Sequence, residues 1–317
     1  MAVARVGDGG VAVSPGVLRH SWRTPDWSVA ELVDAKFDRT VSVVLPALNE
    51  EATVGGVVES IVPLVGTLVD ELVVVDSGSV DATAAEARRA GARVVTREEA
   101  FPGLAPRPGK GEVLWRSLAA TTGDVVVFVD SDLVDPSPRF VPSLLGPLLL
   151  GSRVQLVKGF YRRPLHVDGV ATEQGGGRVT ELVARPLLTA LRPELAGVLQ
   201  PLGGEYAATR ELLAAIPFAP GYGVEIGILL DTYDRLGVDA IGQVDLGVRE
   251  HRNRPSSELA MMSRQIMATM FGRLGIPDST QEHRVFGLGD DPFHAVTSPL
   301  MTDDRPPMNH ASAIASR

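Results

Sequence analysis

The stretch "VVVFVDSDLVDP", residues 125–136, ends an apolar run in a cluster of carboxylates. Val125 to Val129 read as a strand buried on both faces, and Asp130, Asp132 and Asp135 follow it directly. Two carboxylates two residues apart at a strand end can bind one hard cation, which prefers oxygen ligands and often binds substrate phosphates as well. Asp pairs are also common in turns, so the place of this pair in the fold decides its meaning.

Short β-branched runs alternate with helical patterns around this stretch. Runs of this kind are typical of parallel strands that are covered on both faces. Their alternation with helices predicts right-handed βαβ units and an open α/β sheet, in which ligands bind at the carboxyl ends of the strands. The predicted strands are "VSVVL" (41–45), "ELVVVD" (71–76), "ARVVT" (92–96) and "DVVVFVD" (124–130).

Polar groups follow three of these strands. They are "PALNE" (46–50), "DSGS" (76–79) and "DSD" (130–132). Each alone could be a turn or a helix cap, but in a parallel sheet all three lie on one edge. Together they favour a ligand site in which the carboxylates hold a divalent metal on a diphosphate.

The composition excludes several classes of protein. A formal net charge of −9 and a pI near 5.2 argue against a nucleic-acid binder, which usually carries a basic excess. The absence of cysteine excludes disulfides, thiolate metal sites and Cys nucleophiles, and it favours a reducing cytoplasm. The first residues lack the apolar core of a signal peptide, and the apolar stretch 140–151 is too short to span a membrane. We therefore expect a cytoplasmic protein with no membrane or nucleic-acid partner.

The regular alternation stops after "RVQLVKGFYRR" (153–163). A Gly-rich loop, "EQGGGRVTE" (173–181), leads into helical segments, one of them spanning 224–236, and a strand is expected around 239–249. We expect residues 1–38 to be an N-terminal extension. Residues 276–317 are polar, and we expect a loose tail or a segment that contacts another subunit.

The motifs "VVLPALNEE", "VVVDSGSVDAT" and "VVVFVDSD" together resemble the nucleotide-sugar half of glycosyltransferases of the GT-A fold. The motifs "GKGEVLW", "LVKGFYRRP", "GGGRVTELVARPLL", "PLGGEYAATRELL", "YGVEIGILLD" and "REHRN" are similar to glucosyl-3-phosphoglycerate synthases of the mycobacterial type. The resemblance covers roughly residues 40–275. It implies a mostly parallel, Rossmann-like sheet flanked by helices, with a nucleotide-sugar-binding half at 39–160 and an acceptor-binding half at 161–275.

The same resemblance implies a homodimeric enzyme that transfers glucose from UDP-glucose to the 2-hydroxyl of 3-phosphoglycerate with retention of configuration. It places the uridine against Pro46, Ala47, Leu48 and Glu50, with Ser77 at the uracil edge. Lys110 would lie near the diphosphate and Asp130 near the ribose. Asp132 would bind Mg²⁺ or Mn²⁺, with His251 as a further candidate ligand, although a lone His is more often structural.

An anionic acceptor agrees with the local charge. Residues 151–200 carry seven Lys or Arg against four Asp or Glu. In "GGGRVT", backbone N–H groups, the Arg178 guanidinium and the Thr180 hydroxyl suit a phosphate or carboxylate, although a hinge with a surface Arg would look alike. The substrate contacts that the resemblance implies are Gly177, Arg178, Val179, Thr180, Tyr222, Glu225, Arg249 and Asn253.

The expected catalytic residues are Glu225, Asp132 and Lys110. In an inverting transferase Glu225 would be the general base. With retention, either a carboxylate attacks covalently or the departing phosphate takes the proton on the same face, and Glu225 would orient the glucose hydroxyls. The sequence leaves open a transferase acting on a polyprenyl phosphate, a nucleotidyltransferase and an inactive nucleotide-sugar sensor. It excludes a Walker A loop, because no Ser or Thr follows Lys110, and a Rossmann dehydrogenase, because the third Gly of "GYGVEIG" comes too late.

Overall fold

A sheet of eight strands forms the centre of the protein. The computed structural model describes residues 17–151, 153–162, 165–167, 170–172, 177–248, 256–286 and 293–311. The strands of the sheet are β1 (Ser21–Trp22), β2 (Val41–Ala47), β3 (Glu71–Asp76), β4 (Arg93–Thr96), β5 (Val125–Phe128), β6 (Leu156–Arg162), β9 (Tyr206–Thr209) and β10 (Ile241–Val248). Two separate hairpins pair β7 (Leu165–Val167) with β8 (Val170–Thr172) and β11 (Glu282–Phe286) with β12 (Ala295–Pro299).

The strand order is β1-β10-β6-β9-β5-β2-β3-β4. All neighbours are parallel except β9, which runs antiparallel to both β5 and β6. The predicted α/β fold with a mostly parallel sheet is therefore confirmed, and the four strands predicted between 41 and 130 are all present. The carboxyl ends of β2, β3 and β5 lie side by side, and we call this end of the sheet the carboxyl edge.

Helices cover both faces of the sheet. None of them, within the described ranges, is long and apolar enough to cross a membrane. They are α1 (Val29–Lys36), α2 (Val54–Ile61), α3 (Thr83–Ala90), α4 (Arg97–Ala100), α5 (Lys110–Ala120), α6 (Phe140–Leu149), α7 (Arg185–Leu191), α8 (Arg210–Ala215), α9 (Val224–Leu236), α10 (Ser256–Leu274) and α11 (Met308–Ala311). A π-helical turn, Thr180–Ala184, leads into α7, and a 3₁₀ turn, Gly221–Gly223, leads into α9.

Each strand sends alternate side chains to the two faces, which gives two apolar cores. Val43 and Val127 belong to the core under α1, α2 and α6. Val44 and Phe128 belong to the core under α5, α8 and α9. Because both faces of the central strands are buried, their sequences read as continuous β-branched runs.

Both ends of the described chain pack on this fold. The short strand β1 pairs with β10, and the Trp27 ring lies so close to Gly146 of α6 that a Cβ there would overlap it. The C-terminal segment brings Arg305 into a buried contact with Glu112, and the Trp115 indole donates to the Pro306 carbonyl at 2.8 Å. The segment expected to be a loose tail thus includes residues that are tied to α5.

The strand β9 was not predicted. Its four residues follow a Gly-Gly pair, contain two alanines and lack the β-branched run that marks the other central strands. It is inserted between β5 and β6 by long-range pairing, so one sheet continues from the predicted nucleotide-sugar half into the predicted acceptor half.

Candidate functional site

The three polar segments predicted to share an edge do meet there. In the register of β2 and β3, Ala47 lies opposite Asp76, and the Ser77 amide donates to the Ala47 carbonyl at 2.8 Å. On the other side of β2, the Ser131 hydroxyl donates to the Pro46 carbonyl at 2.7 Å. The middle residue of "DSD" therefore fixes the two aspartates relative to the end of β2.

The loops after β2 and β3 are held together by hydrogen bonds. The Asn49 side chain accepts from the Val80 amide at 2.9 Å, and the Asn49 amide donates to the Ser79 hydroxyl at 2.9 Å. The Glu50 amide donates to the Thr83 hydroxyl at 2.7 Å. These contacts tie the two loops together, with Ala47 buried, Ser77 half-buried and Leu48 53% exposed. An exposed Leu above a rigid polar loop can cover a flat ring.

Lys110 joins this edge from the start of α5. Its ammonium lies 2.6 Å from Asp130 Oδ1 and 2.7 Å from Glu225 Oε1. The flanking glycines permit the approach of α5 to the turn before α9. A Cβ on Gly109 would lie 2.9 Å from the Gly221 Cα, and a Cβ on Gly111 would overlap the Ala219 carbonyl.

Glu225 is buried in the first turn of α9, where the partial positive charge of the helix start favours a carboxylate. The turn before it is pressed against α10. A Cβ on Gly221 would lie 2.5 Å from the Gln265 side chain, and one on Gly223 would overlap Thr269. The Gln265 side chain also accepts from the Tyr222 amide at 3.0 Å. Glycine at 221 and 223 is thus needed to bring Glu225 to Lys110.

Charge at this point is strongly coupled. Burial by itself would lower the pKa of Lys110, but the carboxylates of Asp130 and Glu225 hold this pKa well above its usual value. Lys110 is therefore a fixed cation at neutral pH. A fixed cation at the carboxyl edge is suited to a phosphate-bearing ligand.

Sequence reasoning assigned no role to a second lysine, Lys158, although it lies in one of the motifs that carry the family resemblance. Lys158 in β6 is buried and donates to the Gly203 carbonyl at 2.6 Å. The next residue, Gly204, lies against Asp130, whose carboxylate a Cβ on Gly204 would overlap. The sequence feature that could have drawn attention to Lys158 is that it is a lysine inside a short apolar strand.

The predicted acceptor loop lies on the side of α10. Gly177 has a φ of +80°, Arg178 is exposed, and Val179 and Thr180 are buried at the start of the π-helical turn. Both this turn and the 3₁₀ turn that contains Tyr222 pack on α10, which links the two candidate acceptor segments. The predicted residues Arg249, His251 and Asn253 lie outside the described residues.

The donor chemistry at the carboxyl edge fits a hard divalent cation. Asp130 is engaged by Lys110, and Asp132, half-buried two residues on, supplies a further carboxylate. In the part of the chain that the structure describes, no three His, Asp or Glu side chains gather into a metal cluster. One carboxylate is sufficient for such a cation when a bound diphosphate and water complete the ligand set.

Comparisons with known proteins agree with this geometry. The family model described as Glycosyl transferase family 2 matches residues 42–166. A glucosyl-3-phosphoglycerate synthase from Mycolicibacterium smegmatis is 67% identical over 289 residues, which cover 91% of this chain and 95% of that protein.

Two crystal structures of glucosyl-3-phosphoglycerate synthase from Mycobacterium tuberculosis are also similar. The first, in complex with Mn²⁺, UDP-glucose and phosphoglyceric acid, is 61% identical, has a TM-score of 0.85, and covers 93% of this chain and 99% of that chain. The second, in complex with Mg²⁺ and UDP, is 61% identical, has a TM-score of 0.86, and covers 92% of this chain and 99% of that chain.

Proposed function

The chain belongs to the family of glucosyl-3-phosphoglycerate synthases, and we propose that it transfers glucose from UDP-glucose to the 2-hydroxyl of 3-phosphoglycerate. It is a glycosyltransferase with the GT-A fold. The observation that carries the proposal is the meeting of Lys110 with Asp130 and Glu225 at the carboxyl edge. This arrangement sets a fixed cation and two carboxylates where a nucleotide sugar would enter.

The sugar donor binds in the cleft between the loops after β2 and β3. Pro46, Ala47, Leu48 and Glu50 line one side of this cleft, and Ser77 provides a hydroxyl for the uracil edge. The hydrogen bonds between the two loops support this assignment, because they hold the loops that carry these residues next to each other. Lys110 takes up the diphosphate, and Asp130 contacts the ribose.

Asp132, with His251, would hold a Mg²⁺ or Mn²⁺ ion, which neutralises the charge that forms on the diphosphate when it leaves. The chain's own contribution is to hold Asp132 in place, since the Ser131 hydroxyl ties this loop to β2. Lys110 supplies a second positive charge on the same leaving group.

The acceptor binds near the start of the π-helical turn. The Arg178 guanidinium, the Thr180 hydroxyl and the backbone of Gly177 and Val179 bind its phosphate or carboxylate. From the family resemblance, Tyr222, Arg249 and Asn253 would complete this region. The exposure of Arg178 next to a buried Thr180 supports an anion that enters from solvent.

Transfer breaks the bond between the glucose anomeric carbon and the phosphate oxygen and forms one to the acceptor oxygen. With retention of configuration, the departing phosphate takes the hydroxyl proton on the same face. Glu225 hydrogen-bonds the glucose hydroxyls and holds the sugar for this step. The burial of Glu225 in the first turn of α9 supports an orienting role, because a buried side chain on a helix has little freedom to move.

A product assay tests the proposal. The enzyme is incubated with UDP-glucose, GDP-glucose or GDP-mannose against 3-phosphoglycerate, with glycerol as a neutral acceptor. We expect a glucosylated product and UDP release with UDP-glucose and 3-phosphoglycerate, and little product with glycerol. Release of pyrophosphate would instead indicate a nucleotidyltransferase, and tight GDP binding would contradict the uracil site.

The proposal also includes a cytoplasmic location, which the absence of cysteine supports, and a homodimer, which light scattering can test.

A further inference from the structure

The chain uses arginine for almost all of its positive charge. Of its 30 Lys and Arg residues, only Lys36, Lys110 and Lys158 are lysines. All three are largely buried, with Lys36 at 6% and Lys158 at 2% exposure and the Lys110 side chain at 21%. An ammonium is a compact point charge, whereas a guanidinium is a wide planar fork, so the two groups are not interchangeable at these positions.

Two of the three lysines form ion pairs with carboxylates. Lys36 lies at the opposite end of the sheet from the carboxyl edge, where it pairs with Asp70 at 2.7 Å and donates to the Thr67 carbonyl at 3.0 Å. Lys110 is shared by Asp130 and Glu225. Lys158 differs from both, since its ammonium is bonded to the Gly203 carbonyl and lies 4.5 Å from the centre of the Tyr206 ring.

Lys158 lies beside the segment that packs against Asp130. It is opposite Tyr206 in the register of β6 and β9, and Phe128 of β5 is opposite Tyr206 on the other side. The segment it holds, Gly203 and Gly204, is the one that contacts the Asp130 carboxylate. The Tyr206 hydroxyl is fully buried and, among the described residues, has no hydrogen-bond partner. The Lys158 ammonium and the Tyr206 hydroxyl are thus buried polar groups in the part of the core next to the carboxyl edge.

The charges around Lys158 come from four places. The pKa of Lys158 is lowered to about 8, mainly by burial and also by Lys110 of α5, while Glu225 of α9, Glu205 before β9 and Asp130 after β5 oppose this shift. The neighbouring Tyr206 stays neutral, because burial raises its pKa well above the usual value. The pKa of Lys158 therefore depends on how far Lys110 compensates the charge of the neighbouring carboxylates.

We propose that Lys158 is a positioning residue for glucose transfer, which balances Glu225 and Asp130 when Lys110 turns to the diphosphate of the sugar donor. The inference rests on the proposed function, which assigns the diphosphate to Lys110. Two neighbouring carboxylates that lose their shared cation repel each other, and one of them tends to move. A second cation, held by the Gly203 carbonyl and the Tyr206 ring beside the segment that contacts Asp130, limits this movement.

Lysine-selective isotope labelling and NMR test this directly, because the whole chain gives only three lysine side-chain signals. The variants Lys36→Met and Lys158→Met assign them. The pKa of each signal is measured by pH titration of the wild-type enzyme, with and without UDP-glucose and MgCl₂, and without acceptor. We expect the chemical shift of the Lys110 signal to change and the pKa of Lys158 to rise by about one unit or more. The chemical shift and pKa of Lys36 should stay unchanged.

Three results are distinguishable. A shift of Lys110 together with a raised pKa of Lys158 supports the inference. A shift of Lys110 with an unchanged pKa of Lys158 overturns it and leaves the proposed function intact. If UDP-glucose changes neither signal, the diphosphate is not near Lys110, and the proposed function is contradicted together with the inference.

A double-mutant cycle adds a kinetic test. Lys158→Met should lower kcat/KM for UDP-glucose by about tenfold or more, and Lys158→Arg should restore part of this loss. In a Glu225→Gln background, where the carboxylate is already neutral, the added loss should be about twofold or less. Lys36→Met, the matched control, should leave this kcat/KM within about twofold. Equal losses in both backgrounds would show that Lys158 only supports the fold, and if Lys158→Met fails to fold, the wild-type titration still decides.

Discussion

The ammonium of Lys110 lies 2.7 Å from a carboxylate oxygen of Glu225. The two residues come from the first turns of α5 and α9, one in the predicted nucleotide-sugar half of the chain and one in the predicted acceptor half. The same ammonium lies 2.6 Å from Asp130, which follows the central strand β5. A substitution at Lys110 should therefore affect both the predicted nucleotide-sugar half and the predicted acceptor half of the site.

Lys110→Met should remove most of the activity. The variant takes away the positive charge on the leaving diphosphate and leaves Asp130 and Glu225 without their shared cation. Loss of one such stabilising group lowers kcat by about a hundredfold to a thousandfold. Steady-state kinetics and calorimetry with UDP measure the effect. Lys110→Arg should recover part of it, because it keeps the charge but not the compact shape. Unchanged UDP affinity and turnover in Lys110→Met would contradict the assigned role.

Activity should require a divalent metal. EDTA is expected to abolish transfer, and added Mg²⁺ or Mn²⁺ to restore it, since the leaving diphosphate needs neutralisation. Asp132→Ala should weaken UDP binding in the presence of metal but not in its absence, as measured by calorimetry. Asp135→Asn, a change at an exposed carboxylate three residues further on, is the matched control and should behave like the wild type. Full activity in EDTA would exclude the metal site.

The part of the site that could be predicted from sequence is the part set by single strands. "PALNE", "DSGS" and "DSD" each follow a β-branched run, and parallel topology alone places their ends on one edge. The structure brings Pro46, Ala47 and Ser77 together on that edge, with Ser131 tying the aspartates to it.

What could not be predicted depends on long-range pairing. The strand β9 enters the sheet only because β5 and β6 accept it on either side, and its own four residues carry little strand signal. The contact of Lys110 with Glu225 arises because glycines at 109, 111 and 221 let two helix starts approach, a fact that no local pattern records. The position of Lys158 opposite Tyr206 also depends on long-range pairing, in this case of β6 with β9.

Arg178→Ala should weaken acceptor binding selectively. At neutral pH 3-phosphoglycerate carries a carboxylate and a phosphate, so charge-assisted hydrogen bonds dominate its binding. Removing the guanidinium should weaken binding by roughly 2–5 kcal/mol, at about tenfold in affinity for each 1.4 kcal/mol. Kinetics with varied 3-phosphoglycerate at saturating UDP-glucose measure this, and UDP binding should hardly change.

Two further variants sharpen the test of Arg178. Arg178→Lys should recover only part of the loss, because an ammonium cannot form the planar bidentate fork. Arg153→Ala removes an exposed arginine from the same positively charged stretch, before β6, and should have no effect. An unchanged catalytic efficiency toward 3-phosphoglycerate in Arg178→Ala would make Arg178 a surface residue only.

Gly111→Ala should disturb catalysis through the backbone. A Cβ at position 111 would overlap the Ala219 carbonyl, so α5 or the turn before α9 must move and Lys110 must separate from Glu225. We expect a fall in kcat of about tenfold or more, since small misplacements of reacting groups reduce rates strongly. Gly56→Ala in α2 is the control, because no atom lies within 4 Å of the added Cβ. That change should preserve activity, and wild-type turnover in Gly111→Ala would contradict the packing argument.

A buried ion cluster fastens the C-terminal segment to α5. Arg305 donates to both oxygens of Glu112, at 2.6 and 2.8 Å, and Arg116 donates to the same carboxylate at 2.5 Å. All three side chains are almost fully buried. Although burial raises the pKa of Glu112, the hydrogen bonds from Arg305 and Arg116 dominate and hold this pKa below its ordinary value of 4.5. Glu112 lies two residues after Lys110 in the same helix.

Glu112→Gln should lower the free energy of unfolding by roughly 3–5 kcal/mol at neutral pH, because it leaves two buried guanidinium groups without their carboxylate. Since the folded pKa of Glu112 lies below its unfolded value, the stability that this carboxylate contributes is complete above pH 4.5 and is lost as the pH falls through the folded pKa. The stability difference between wild type and Glu112→Gln should therefore shrink below pH 4.5. Urea unfolding at several pH values measures this difference. Glu86→Gln, which breaks a surface pair with Arg89, is the control and should change stability by about 1 kcal/mol or less. A difference between wild type and Glu112→Gln that stays constant from neutral to acidic pH would show that the ionised form of Glu112 is not what holds the C-terminal segment to α5.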